Sequence, residues 1–103
     1  MVEHTWLIDW IFGHLLYRHK DSVSFSVVGG GGQTMFLAKA PGCAVVVVRT
    51  RGSEWYEQCL FVSIVYGSVC FNGYFYGPPD FLDSLWSRVL ECARALKEGR
   101  DGE

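Results

Sequence analysis

Residues 55–76 read WYEQCLFVSIVYGSVCFNGYFY, two apolar runs joined by the dipeptide Gly67-Ser68. A two-residue loop that begins with glycine is typical of a tight β-hairpin, because glycine tolerates the positive φ angle that such a turn requires. The sequence therefore predicts two antiparallel strands, at about 55–66 and 69–76, that pair across this turn.

Counting outward from the turn gives the predicted hairpin two unlike faces, since successive side chains of a strand point to opposite sides. One face is apolar and is expected to be core; it pairs Ile64 with Phe71, Val62 with Gly73 and Leu60 with Phe75. The other face is aromatic with a polar centre and carries Phe61, Ser63, Asn72, Tyr74 and Tyr76. Because secondary structure packs in layers, we expect a terminal helix or a second subunit to cover this aromatic face.

Three further strands are predicted upstream, at about 22–29, 33–39 and 43–51. In the first, valine and phenylalanine alternate with serine, as in a strand with one buried face. Glycines 29–32 and the pair Pro41-Gly42 predict the intervening turns. The valine run of the third strand favours a central strand that is covered on both faces.

Helical periodicity marks both ends of the chain. An N-terminal helix at about 4–18 is apolar almost all round and includes Trp6 and Trp10. A C-terminal helix at about 80–98 is predicted to begin with Asp80 as N-cap and to end at Gly99. The predicted fold is one α+β domain over residues 1–103, a five-stranded antiparallel meander flanked by two helices.

The composition favours a folded domain with apolar surface to cover. Half of the 103 residues are hydrophobic, 16% are aromatic and 19% are charged, below the roughly 25% typical of soluble domains. Such a chain is expected to associate with a second copy or a partner, and we predict a homodimer. The net charge of −2 disfavours nucleic acid. No apolar run approaches the ~20 residues of a membrane-spanning helix, so no membrane association is expected.

The four cysteines, Cys43, Cys59, Cys70 and Cys92, are predicted to be buried free thiols in a reducing compartment, which places the protein in the cytoplasm. Metal ligands on a helix recur at three or four residues, whereas His4, His14 and His19 are spaced by ten and five. The glycine loop lacks the following helix of a phosphate-binding loop. The sequence thus indicates no catalytic, cofactor or metal site.

A non-enzymatic interaction protein that binds a protein partner as a homodimer is the leading hypothesis. The residues expected to make the contacts are those of the aromatic face and the two helical tryptophans: Phe61, Ser63, Asn72, Tyr74, Tyr76, Trp6 and Trp10.

Two alternatives stay open. A nucleic-acid-associated module would use the aromatic face with Lys39, Arg49 and Arg51, although both arginines are also expected to pair with Glu54 and Glu57. A small enzyme or ligand-binding domain would use a pocket between sheet and helix, with Cys43 or His14.

Overall fold

The structure, a computed structural model, describes residues 5–101, and the side chains of residues 5–98. Within this range five antiparallel strands form one meander sheet in chain order. The strands are β1 (Ser24–Gly30), β2 (Gln33–Ala40), β3 (Cys43–Thr50), β4 (Cys59–Tyr66) and β5 (Val69–Tyr76). The predicted α+β meander between an N-terminal and a C-terminal helix in the chain is confirmed.

Helical structure precedes and follows the sheet. The N-terminal helical segment, residues 6–19, comprises α1 (Trp6–Trp10), a π-helical stretch (Ile11–Leu16) and a 3-10 turn (Tyr17–His19). The predicted start at residue 4 lies outside the described residues. The C-terminal helix is α2 (Pro79–Asp101). No helix within residues 5–101 is both long and apolar enough to cross a membrane.

The predicted C-terminal helix is confirmed, but α2 begins one residue earlier and ends three residues later than predicted. The helix begins at Pro79 and the Leu82 amide donates to the Pro78 carbonyl, so Asp80 lies in the first turn rather than at the N-cap. Proline suits the first helical position because its missing N–H has no acceptor there. Gly99, predicted to end the helix, lies within it.

The predicted hairpin is confirmed, pair for pair. Phe61 lies opposite Tyr74 and Ile64 opposite Phe71, as counted from the turn. Gly67 has a φ of 60° and supplies the left-handed conformation that the turn requires. The glycine loop also makes a tight hairpin, with Gly31 and Gly32 at φ 61° and 79° between β1 and β2.

Two strand boundaries differ from the prediction. β1 begins at Ser24, because the amides of Ser22 and Val23 donate instead to the His19 carbonyl and close the end of the N-terminal helical segment. β4 begins at Cys59 rather than at residue 55, because Trp55–Glu57 forms a 3-10 turn. The side chain of Gln58 holds this connection by donating to the Gly52 carbonyl.

One face of the sheet, the inner face, forms the core with both helical segments. The buried cluster joins Phe36, Val47 and Val62 of the central strands to Phe12 of the N-terminal segment and Leu85 of α2. Both helical segments thus pack on the same face, and within residues 5–101 no helix covers the other face of β3, so the chain's own helices supply only half of the predicted two-sided cover. Along β3, buried residues alternate with half-buried ones, as expected when one face alone is covered.

Two valines of the β4–β5 hairpin test this arrangement. We expect Val62→Ala to lower the free energy of unfolding by about 2–3 kcal/mol, since Val62 is fully buried and its truncation leaves a cavity. Val65 points to the other face of the sheet and is 40% exposed, so Val65→Ala should cost less than about 1 kcal/mol. Urea denaturation measures both, and equal losses would contradict the one-sided core.

Candidate functional site

The outward face of the sheet is apolar and lies open to solvent in the described structure. We define it as the strand side chains that point away from both helical segments. The strand registers align one such residue from each strand in a continuous row: Val28, Met35, Val48, Phe61 and Tyr74. All five are half-buried or exposed, and Tyr74 is 61% exposed. Apolar side chains thus cross the whole width of the sheet on its uncovered side.

A neighbouring row on the outward face is more polar. It runs through Ser26, Leu37, Val46, Ser63 and Asn72. The predicted polar centre, Ser63 with Asn72, therefore lies beside two aliphatic residues of β2 and β3. The contribution of these two strands was not predicted, although their alternation and the turns at Gly31-Gly32 and Pro41-Gly42 carry the same register information.

An aromatic cluster occupies the β4–β5 side of the outward face. The ring of Phe61 lies 4.9 Å from that of Tyr74, and Tyr74 is stacked on Tyr76 at 6.1 Å. The indole of Trp55, in the turn before β4, meets Tyr76 edge-on at 6.0 Å. The predicted aromatic face is thus assembled, and ring-to-ring packing fixes the orientation of its side chains.

Trp6 and Trp10, the other two predicted contact residues, lie on the opposite side of the sheet. They line a groove with Ile64, Tyr66 and Phe71, which belong to the inner face. The predicted partner-binding residues therefore fall on two separate surfaces, with the sheet between them.

Arg49 is buried rather than available to a ligand. It shares the inner face with Val45 and Val47, and its side chain is 1% exposed. Its Nε donates to the Asp83 carboxylate at 3.0 Å, and an Nη1 hydrogen reaches Gln58 Oε1 at 3.2 Å. The same group also donates to the Thr50 carbonyl. These partners satisfy a charge that would be costly to bury alone.

The three basic residues of the nucleic-acid hypothesis do not form one patch. Arg51 pairs with Asp83 at 3.1 Å, on the carboxylate oxygen that Arg49 also contacts. The ion pairs predicted with Glu54 and Glu57 are replaced by this shared pairing, because the start of α2 brings Asp83 over the end of β3. Lys39 is exposed and lies on the outward face.

The four cysteines are unpaired, and two of them are buried as predicted. Cys43 is buried in the core and Cys59 is buried at the start of β4, whereas Cys70 is exposed and Cys92 half-buried, contrary to the prediction for these two. Burial raises the pKa of the Cys43 thiol above its ordinary value. Burial also raises the pKa of Cys92, although nearby Arg88 opposes the shift. A raised pKa leaves less thiolate at neutral pH, so both positions disfavour nucleophilic chemistry.

The histidines of the described structure lie apart from these thiols. His14 is exposed and lines the groove beside Trp10, and His19 is half-buried in the 3-10 turn. His4 lies outside the described residues. Within residues 5–101 no three His, Cys, Asp or Glu side chains come close enough together to hold a metal ion.

Removing Asp83 tests the buried arginine. We expect Asp83→Ala to lower the free energy of unfolding by about 2–3 kcal/mol, since it leaves the Arg49 guanidinium without its carboxylate partner. Asp80→Ala removes a carboxylate from the first turn of α2. It should lower the free energy of unfolding by about 1 kcal/mol or less, because only the interaction of this carboxylate with the helix dipole is lost. Urea denaturation compares the two, and an equal cost would show that Arg49 does not depend on Asp83.

The reactivity of Cys43 is a further prediction. Because the thiol is buried and its pKa is raised, we expect iodoacetamide at pH 8 to alkylate it about tenfold or more slowly in the folded protein than in urea. Peptide mapping by mass spectrometry reports each cysteine separately. Alkylation in the native protein as fast as in urea would restore Cys43 as a candidate nucleophile.

The comparisons with known proteins give no family for this chain. No protein-family model matches it, no curated protein matches it, and no solved structure matches it. Function therefore has to be inferred from the two surfaces described above, an open sheet face that is largely apolar and an aromatic groove on the helical side.

Proposed function

We propose that the chain is a non-enzymatic interaction protein that works as a homodimer, with the outward face of the sheet as the dimer interface. The observation that carries this proposal is the apolar row from Val28 to Tyr74, which spans all five strands without a covering element among the described residues. Exposed apolar patches of several hundred Å² are uncommon on monomers and mark interfaces.

The size of the outward face suits a stable dimer. Five strands about 4.8 Å apart, with about eight residues each at about 3.4 Å per residue, make a face of roughly 650 Å² before side-chain relief is counted. A standard interface buries about 800 Å² per partner. Two such faces packed together would form a β-sandwich about 10 Å thick, with interdigitating side chains.

The charge distribution favours a second copy as the occupant. In a twofold dimer the same patch meets itself, so a charged patch would meet its own charge. Among the strand residues that the structure describes, Lys39 is the single charged side chain on the outward face, and it lies at one end of β2. The face is therefore compatible with itself, whereas it offers little to steer a charged partner.

The nucleic-acid alternative draws less support from the same surface. Neutralised phosphates supply most of the affinity of nucleic-acid binders, and this requires accessible cations beside the stacking rings. Arg49 is buried, and Arg51 pairs with Asp83 on the other side of the sheet from Phe61 and Tyr74. Lys39 alone of the three basic residues shares the outward face with those rings.

Two aromatic residues of equal exposure test the proposed interface. We expect Tyr74→Lys to weaken dimerisation by about 100-fold, because it buries a charge at the interface. Trp6 is 60% exposed, like Tyr74, but lies on the helical side, so Trp6→Lys should leave the dimer unchanged. Sedimentation equilibrium measures both, with circular dichroism to confirm folding. A wild-type chain that stays monomeric at about 100 μM, or equal effects of the two variants, would overturn the proposal.

A further inference from the structure

A groove with a volume of about 710 Å³ lies between the N-terminal helical segment and the β4–β5 hairpin. Its lining is predominantly aromatic and aliphatic and comprises Trp6, Leu7, Trp10, His14, Leu15, Arg18, Ile64, Tyr66, Val69 and Phe71. On the helical side, Trp6, Trp10, His14 and Arg18 recur every four residues and form one stripe. On the sheet side, the lining residues belong to the hairpin end of the inner face.

The groove exists because the two helical segments leave one corner of the inner face bare. Tyr66, Val69 and Phe71 point to the same side as the buried Val62, yet all three are exposed. Trp10, which faces them across the groove, is 45% exposed. A third helix laid beside the N-terminal segment would complete the helical layer over this corner.

The groove contains two basic residues and no acidic one among the lining residues that the structure describes. The two basic residues, His14 and Arg18, form one end of the helical stripe. Both side chains are exposed, and neither forms an ion pair with another described side chain of residues 5–98. An occupant with an apolar side and a carboxylate would therefore match the groove in both shape and charge.

We propose that this groove binds an amphipathic helix of a protein partner, with apolar side chains packed on Trp6, Trp10 and Phe71 and a carboxylate paired with Arg18. The inference rests on the proposed function as an interaction protein and deepens it by naming the kind of partner. It does not need the dimer, because the groove lies on the opposite side of the sheet from the outward face.

The shape of the groove favours a helix over a small molecule. Small-molecule sites enclose most of their ligand, whereas this groove is open along its rim, where Trp6 and Val69 are more than half exposed. The helical stripe extends over three steps of four residues, at most ~18 Å at the rise of an α-helix. That length is sufficient for the i, i+3, i+4 and i+7 anchors of an amphipathic helix, which span about 11 Å.

The test uses two designed peptides of the same helical sequence, with leucines on one face and either Glu or Lys along its border. Each peptide is labelled with fluorescein, and fluorescence anisotropy measures its binding to the full chain. We expect the Glu peptide to bind with a Kd of about 1–100 μM and the Lys peptide at least about tenfold more weakly. Trp10→Ala should weaken both peptides by about tenfold, since it removes an aromatic anchor.

A charge reversal separates a specific pairing from general attraction. Arg18→Glu should invert the preference, so that the Lys peptide binds more tightly than the Glu peptide. Arg94→Glu changes the net charge equally at an exposed position of α2 outside the groove, and should leave the order unchanged. Tyr74→Lys should leave both peptide affinities unchanged even where it dissociates the dimer, so failure of the dimer and failure of the groove are told apart.

Several results would overturn the proposal. One is that neither peptide binds at concentrations up to about 1 mM. Another is that Arg18→Glu does not invert the order of the two peptide affinities. A third is that Trp10→Ala leaves both peptide affinities unchanged. Dodecanoate is the small-molecule control. If it binds stoichiometrically, competes with the Glu peptide and binds far more tightly than that peptide, the groove is a site for a small apolar acid instead.

Discussion

Both helical segments pack on the same face of the sheet through one buried cluster, and two ion pairs border it. Arg88 of α2 donates to the Asp9 carboxylate at 2.7 Å and ties α2 to α1. Asp83 accepts a hydrogen bond from the buried Arg49 of β3, and this ion pair joins the start of α2 to the end of that strand. Beside these two ion pairs, Leu82, Leu85 and Val89 of α2 belong to the single buried cluster. The rest of the structure depends on this one-sided placement.

One-sided coverage has two consequences for the surface. The outward face keeps its apolar row and its aromatic cluster in contact with water, at a free-energy cost that a second sheet would remove. The inner face is covered only as far as two helices reach, which leaves the hairpin end of β4 and β5 bare beside Trp6 and Trp10. Both proposed interaction surfaces therefore result from the placement of the two helical segments on one face. Because they lie on opposite sides of the sheet, a substitution can disrupt one surface and leave the other intact.

Local chemistry made much of the fold predictable. The Gly67-Ser68 turn fixed the pairing of Phe61 with Tyr74, because a two-residue loop leaves no freedom in the register. Alternation likewise showed which residues share a face, but it carries no information on the side from which a helix packs. That choice depends on long-range partners such as Asp83 with Arg49, 34 residues apart.

The misplaced residues have identifiable physical causes. Arg49 has the same parity as Val45 and Val47, so alternation places it on the core face, but its charge suggested an exposed position. Trp55 suits a strand by its aromatic character, whereas the hydrogen bond from Gln58 to Gly52 bends the chain into a 3-10 turn there. In the first case the deciding contact is the hydrogen bond from Arg49 to the distant Asp83, and in the second it is the one from Gln58 to the Gly52 carbonyl. Neither contact can be read from the local pattern.

The most direct test of the homodimer is an isotope-filtered NMR experiment on a 1:1 mixture of ¹³C-labelled and unlabelled chains. A dimer that packs through the outward face predicts nuclear Overhauser effects between chains. They connect the methyl groups of Leu37, Val46 and Val48 in one chain with the rings of Phe61 and Tyr74 in the other. Intermolecular effects confined to the helical side, or none in a sample that sediments at the 11.6 kDa monomer mass, would contradict it.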